Sequence, residues 1–361
     1  MESIGESIEE GIYPPQVFSD HIAEGLNFLA NEMQRPFWYS VQNVHKYALN
    51  PLNDSALTQQ VASRILNVGV YGVGTALSMF IAIGGFFLKG LANRLHSRAF
   101  TYWEGRGEEV RPYTRKVLHL NVCMFPGGLP YLFGGVKGAG ERLENLKIFI
   151  QEVNPDIFFL SEFSQTLSGK LYDLFAQDYK HFFVNIGSNA LGMDVSMAVV
   201  SREPIVSEPK FFPSNVPTEG DQKFCYRGYF FVETEKVNYL YIHLHPKDEK
   251  IRQQQLLEIM EIVDENQNGK GWVVLGDSNI QRGTEEHEAF KSKGFEDIVQ
   301  KEYGNVETCI NGLEKGAREN PESIDGVFVL GDVSLRTTIH ETYETLGQEL
   351  SDHKGISAVI D

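Results

Sequence analysis

An α/β fold of two packed sheets with helices outside is predicted for residues 112–361, from three observations. Short apolar runs recur along this stretch, helix-period segments fall between some of them, and the strands outnumber the helices. In order, VLHLNV (Val117–Val122) reads as a strand. ERLENLKIFIQEV (Glu141–Val153) places Leu143, Leu146, Ile150 and Val153 on one helical face. Asn154-Pro155-Asp156 ends that helix, and IFFLSEF (Ile157–Phe163) follows as a strand. Further strands are predicted at VSMAVVS, GYFFVE and YLYIHL, then a helix at Ile251–Val263, then strands at WVVLGD, IDGVFVL and GISAVID. The chain carries no internal repeat and no low-complexity segment.

Upstream, Ile65–Leu88 runs 24 residues without a charge, between Arg64 and the basic Lys89, Arg94 and Arg98. As a helix it is about 36 Å long, and soluble helices of that length carry a polar face. Its glycines are better tolerated in lipid than in water. It is therefore expected to contact a membrane, whether by spanning or by dipping; if it spans, the basic residues after it place the following domain on the cytoplasmic side. The expected division is an N-terminal region (1–64), a hydrophobic membrane segment (65–88), a juxtamembrane linker (89–111) and a catalytic domain (112–361). PFWYSVQNVHKYALNPL (Pro36–Leu52) is aromatic and mildly amphipathic, suited either to a membrane surface or to packing on the main domain.

The net charge of −17 is uneven, with −3 in residues 1–111 and −14 in the remainder. A domain so acidic repels polyanions at long range, which counts against nonspecific nucleic-acid binding. Cys123, Cys225 and Cys309 are odd in number and far apart, implying no disulfide framework and a reducing compartment. MESIGESIEEG has no apolar core, so a cleaved secretory signal is not expected.

Several strands end in residues able to bind a metal or a phosphate: Asn121, Glu162, His243, the Asp277/Asn279 pair, Asp325 and the Asp352/His353 pair. Singly, each has a structural alternative as a turn, cap or surface residue. Together they close apolar runs that have no structural use for a charge. Carboxylates and carboxamides without a cysteine cluster suit a hard cation, and the chemistry that fits is metal-assisted hydrolysis of a phosphate ester. No nucleophile elbow and no Gly-rich phosphate loop with Lys-Ser/Thr occurs, so water is the expected nucleophile.

The series LN…SE…HL…GDSN…ID…SDH resembles the endonuclease/exonuclease/phosphatase superfamily over residues 117–361. Within it, LNVCMFPGGLPYLF and IHLHPKDEKIRQQQLLEI resemble the membrane-attached (type 2) neutral sphingomyelinases, although the long insertion between the first two motifs is missing here. The resemblance implies two mostly antiparallel sheets in a deoxyribonuclease I-like four-layer sandwich. It implies Mg²⁺, with Mn²⁺ as an alternative, bound by Glu162 with Asn121 and Asp352 nearby. Asp277 would position or deprotonate the attacking water, and Asn279 would help hold water and phosphate. His353, oriented by Asp325, would contact the phosphate or act as base; His243 would stabilise the transition state or protonate the leaving alkoxide. His245 is not expected to be catalytic. Arg227 either meets the substrate phosphate or pairs with Asp221. Ser278, Gly326 and Lys354 depart from the usual motif residues.

The leading expectation is a membrane-attached Mg²⁺-dependent phosphodiesterase that hydrolyses sphingomyelin to ceramide and phosphocholine. The apolar loop Cys123–Gly135 is suited either to meet acyl chains or to cover the core. The competing functions are a nuclease or phosphoinositide phosphatase on the same fold, or an inactive membrane adaptor. The acidic charge argues against nucleic acid, and the full set of metal and imidazole positions argues against the adaptor.

Overall fold

Successive side chains of a strand face opposite ways, and runs such as Ile157–Leu160 are apolar on both faces, so each needs cover on two sides. The computed structural model describes residues 18–49, 57–107, 114–125, 127–128, 136–187, 196–216, 228–310, 321–342 and 350–361. In chain order it contains α1 (Phe18–Val44), α2 (Leu57–Leu95), β1 (Thr101–Glu104), β2 (Lys116–Met124), α3 (Ala139–Val153), β3 (Ile157–Phe163), α4 (Ser168–Phe175), β4 (His181–Ile186) and β5 (Ser196–Ser201). There follow β6 (Lys210–Pro213), β7 (Gly228–Glu233), β8 (Val237–His243), α5 (Glu249–Glu265), β9 (Gly271–Asp277), α6 (Glu285–Lys291), β10 (Glu296–Asp297), α7 (Ile298–Tyr303), β11 (Asp325–Leu330), β12 (Leu335–His340) and β13 (Gly355–Ile360).

One sheet has the order β1-β4-β5-β3-β2-β13-β12 and the other β10-β11-β9-β8-β7-β6. Neighbours are antiparallel except β2–β3 and β8–β9, which are parallel. A parallel pair needs a crossover, and α3 and α5 supply the two. Val117, Phe159, Tyr239, Val273, Val327 and Ala358 meet in the layer between the sheets. Leu118, Phe158 and Leu160 turn the other way onto α3 and α4, and Leu240, Val274 and Phe328 onto α5 and α6. The predicted four-layer sandwich with mostly antiparallel sheets is therefore what forms.

Two boundaries differ from expectation. The charge-free run is the middle of a longer helix, because α2 continues through polar residues at both ends. The stretch expected as a linker, 89–111, holds the end of α2 and the edge strand β1, which pairs with β4 from Thr101↔Val184 to Glu104↔His181. Its four residues are too few for a periodic signal.

α1 lies antiparallel along α2, with Gly74 against Ser40, Gly85 against Ala30, and Asp20 accepting from the Ser97 backbone N–H at 2.7 Å. Small residues on α2 let α1 approach, with Gly84 and Gly85 taking Met33 and Gln34, and the outward faces stay apolar: Phe18, Phe28, Leu77, Phe80 and Phe87 are each more than two-thirds exposed. The far end of α1 docks on the catalytic domain. Trp38 and Val41 lie over Gly127, Gln42 lies over Gly138, and the His45 ring is 3.1 Å from the Gly127 carbonyl. Within the described residues, the aromatic stretch beginning at Pro36 thus packs on α2 and on the loop after β2.

Gly276 precedes Asp277 in β9 with φ of 145°, and an added Cβ would overlap the Ile242 carbonyl oxygen. Gly276→Ala should therefore destabilise the protein by roughly 2 kcal/mol or more. Equilibrium urea unfolding checks this, and an unchanged midpoint would show that β8 and β9 can separate locally at no cost.

Candidate active site

Strand parity brings the polar residues together. Val117 faces the layer between the sheets, so His119 and Asn121 do as well; Tyr239 and Tyr241 lead to His243, Val273 and Leu275 to Asp277, and Val327 back to Asp325. The strands carrying these four positions come from both sheets and end at one rim. β9 and β11 pair with Asp277 directly opposite Asp325, and β8 and β9 pair with His243 beside Asp277.

The backbone bends to complete the cluster. The β2–β3 ladder shifts register between Asn121 and Met124, and Cys123, Glu162 and Asn279 adopt φ of 47°, 53° and 51°. This left-handed region is unfavourable for side-chain-bearing residues and marks bulges that re-aim side chains. Glu162 is turned into the cleft, where its carboxylate lies 3.5 Å from His243 Nε2. Asn279 donates its backbone N–H to Asp277 Oδ1 at 3.0 Å and its side-chain amide to the Leu244 carbonyl at 3.0 Å. Asn121 Nδ2 donates to Asp277 Oδ2 at 3.0 Å, and the imidazoles of His243 and His353 stand 3.7 and 3.9 Å from that same oxygen.

Asp325 is fully buried between two imidazoles. His353 Nδ1 is 2.8 Å from Oδ2, His119 Nε2 is 2.9 Å from Oδ1, and His119 Nδ1 is 3.2 Å from the Tyr241 hydroxyl. Burial alone raises the Asp325 carboxyl, but the two imidazoles outweigh it and hold it well below the usual carboxylate range. His353 moves the opposite way: burial lowers it, while Asp325 and the Cys309 contact raise it well above an ordinary histidine. Asp277 is raised by burial and by the charge of Asp325. Two carboxylates side by side thus hold different protonation tendencies.

Asp352 and His353 reach the site on a loop tied down at several points. Ser351 Oγ donates to the Asn121 carbonyl at 2.5 Å, Ile310 N–H donates to the Asp352 carbonyl at 2.9 Å, and Thr342 donates to the His353 carbonyl. The buried Arg142 guanidinium donates to the carbonyls of Lys137, Val122, Cys123 and Leu350, joining the loop after β2 to the one before Asp352. Asp352 Oδ1 is shut from solvent with no hydrogen-bond partner among the described residues. A buried carboxylate oxygen without a donor is explained by a cation at that point. The oxygen-only donors of Glu162, Asn121 and Asp352 fit a hard divalent ion.

The structure therefore gathers Asn121, Glu162, His243, Asp277, Asn279, Asp325, Asp352 and His353 around one rim. His245 sits apart, accepting from the Asp248 backbone N–H at 2.9 Å ahead of α5. Arg227, Asp221 and loop residues 126 and 129–135 lie outside the described residues. Ser278 is buried and donates to the Ile324 carbonyl at 2.6 Å, and the Phe328 ring takes the space beside Gly326, so these two of the three motif departures are filled locally. Sequence reasoning passed over His119, two residues before Asn121 and so on its face, and Arg142, for which no sequence signal exists.

The sequence profile of the Endonuclease/Exonuclease/phosphatase family matches residues 118–344. No curated protein matches by sequence. Among solved structures, mannosyl-6-phosphatase Bt3783 of Bacteroides thetaiotaomicron superposes with a TM-score of 0.51 at 19% identity, covering 68% of this chain and 99% of that one. SmcL gives 0.51 at 20% identity, covering 68% and 98%. A beta toxin from Staphylococcus aureus gives 0.52 at 20% identity, covering 67% and 98%. At these identities the likeness is one of fold.

The Asp325–His353 pair makes stability depend on pH. His353, raised in the fold, contributes stability that is complete below about pH 6.5 and is lost as pH climbs through its native value; Asp325, depressed, contributes stability present above about pH 3.9 and lost as pH falls through its native value. Asp325→Asn should therefore cost most between about pH 4 and 6.5. Urea unfolding in chelator across pH 4 to 9 tests this, and a pH-independent cost would mean that the pair is not ionic.

Proposed function

The chain belongs to the endonuclease/exonuclease/phosphatase family, and from that premise we propose that it is a divalent-metal-dependent phosphodiesterase acting at a membrane, hydrolysing sphingomyelin to ceramide and phosphocholine. The observation that carries the lipid assignment is the docking of α1 on Gly127, in the loop that leaves Asn121, which ties one end of an exposed apolar helix pair to the strand that carries Asn121. Such a pair turns the encounter with a lipid into a search at high effective concentration. The likeness of LNVCMFPGGLPYLF and IHLHPKDEKIRQQQLLEI to the neutral sphingomyelinases points to the same substrate.

Glu162, Asn121 and Asp352 would hold the cation, Mg²⁺ being the ion that suits oxygen donors and phosphate substrates. Bound there, it supplies charge neutralisation at the phosphoryl oxygens. Asp277, fixed by Asn121 and Asn279, orients water and accepts its proton as the new P–O bond forms. His353, kept protonated by Asp325, donates to a phosphoryl oxygen. His243 gives a proton to the ceramide alkoxide as the old P–O bond breaks. The catalytic domain faces the cytoplasm if α2 spans the bilayer.

Glu162→Gln should lower Mg²⁺-dependent turnover at least ~100-fold, and Asp277→Asn ~10²–10⁴-fold, with folding retained. Phosphocholine release from sphingomyelin vesicles measures both. Running phosphoinositides, a sugar 6-phosphate and DNA in parallel shows whether another ester is preferred, which would overturn the substrate.

The paired substitutions Leu77→Glu and Phe80→Glu charge the exposed face of α2. They should reduce vesicle flotation and vesicle hydrolysis at least ~10-fold while leaving a water-soluble phosphodiester hydrolysed as before. Equal loss on both substrates would show that α2 serves folding and not lipid contact.

A further inference from the structure

Cys309 lies in an extended segment bridged to Glu322 on one side and to His353 on the other, and its thiol contacts the His353 imidazole. Ligand atoms of Cys309, Asp352 and His353 all lie within 4.8 Å of one another. Cys309 and His353 are buried, while Asp352 is partly open to the cleft and provides a way in. No step of the proposed hydrolysis uses the thiol.

We propose that Cys309, Asp352 and His353 form a second cation site, one for soft divalent ions such as Zn²⁺, that competes with the hydrolytic state. One thiolate, one imidazole and one carboxylate with water in the fourth place is a donor set that zinc accepts and Mg²⁺ does not. Tetrahedral zinc with bonds of 2.0–2.3 Å places its ligands about 3.3–3.8 Å apart. The cluster therefore has to contract by no more than about 1–1.5 Å. Asp352 can supply that movement because its Oδ1 is not held by a hydrogen bond among the described residues. Asp325, 2.8 Å from His353, steadies the ring as outer-shell carboxylates do for metal-bound imidazoles. As the metal bonds form, the Cys309 thiol proton and the proton on the ligating nitrogen of the His353 imidazolium both pass to solvent.

The two cation sites share Asp352. Zinc bound to Cys309 draws this carboxylate from Glu162 and Asn121 and occupies His353, so zinc should inhibit, and added Mg²⁺ should weaken the inhibition. The inhibition rests on the hydrolytic roles proposed above; the binding does not.

Titrating the full chain with Co²⁺ in the absence of substrate reads the binding directly, because a cobalt–thiolate bond produces a near-ultraviolet charge-transfer band. The band should appear in the wild type, disappear when Zn²⁺ displaces Co²⁺, and persist in Cys123→Ser and Cys225→Ser. Cys309→Ser should abolish it and weaken Zn²⁺ at least ~100-fold in competition with a chromophoric chelator. Asp352→Asn, which keeps the thiol, should weaken Zn²⁺ at least ~10-fold. No band in the folded wild type, or a band that survives Cys309→Ser, overturns the site. A band without sphingomyelin hydrolysis leaves the site standing and removes the substrate; hydrolysis without a band does the reverse.

Discussion

Two buried carboxylates face each other across antiparallel strands, and the rest of the site answers that arrangement. Asp277 and Asp325 are register partners, and both are almost wholly shut from water. Like charges directly opposite in a sheet repel, the more so without solvent. The protein divides the problem unequally. Asp325 is given His119 and His353 at hydrogen-bond distance and is held low, whereas Asp277 has amide donors from Asn121 and Asn279, with the imidazoles of His243 and His353 at 3.7 and 3.9 Å, and is pushed up by burial and by Asp325. Arg282 adds a buried cation, pairing with Asp297 at 2.9 Å and donating to the Asp325 carbonyl. One carboxylate is held as a charge facing an imidazole; the other is left the more readily protonated, as the proposed base would be.

That polarity is built on backbone that would not form for packing alone. Cys123, Glu162 and Asn279 each hold a left-handed conformation, at a cost of roughly 1–3 kcal/mol apiece. What retains them is the frame around them: Arg142 on four carbonyls, Ser351 on the Asn121 carbonyl, and the Asn279 amide on Leu244. Strain at three corners of one cleft, with fixed partners beside it, fits a preorganised site better than a turn chosen for tightness.

The legible part of this molecule was the part with a period. The β2, β3, β8, β9, β11 and β13 runs are largely apolar, and the helices α3 and α5 follow from their stripes, so these strands and helices could be read from residues alone, while their pairing could not. Short edge strands such as β1 and β10, and α7, have too few residues to show any period. For the site, strand ends marked Asn121, His243 and Asp277 because a polar residue closing an apolar run is locally anomalous. His119 was hidden because it lies inside such a run and looks like an interruption of it, and Arg142 because its four partners are backbone atoms distant in sequence. The antiparallel seam of α1 on α2 was equally unreadable: Ala30, Ser40, Gly74 and Gly85 carry no pairing code.

A cleft containing Glu162, Asp277, Asp325 and Asp352, in a domain that carries −14, is the wrong place for a phosphate diester unless positive charge is supplied. His353 supplies one such charge, and it is already committed to Asp325. The remaining acids favour a cation, and the metal-dependent chemistry of this family and the Asp352 oxygen without a partner among the described residues point the same way from opposite directions. Under the proposed function, the same charge would act on selectivity at longer range. A substrate with one phosphate needs compensation only at the site, whereas a polyanion must be compensated all along its track, and net charge of this sign works against that. A single phosphate presented at an apolar surface, as in the proposed substrate, is the ester that this distribution of charge and exposed hydrophobic helix would best accommodate.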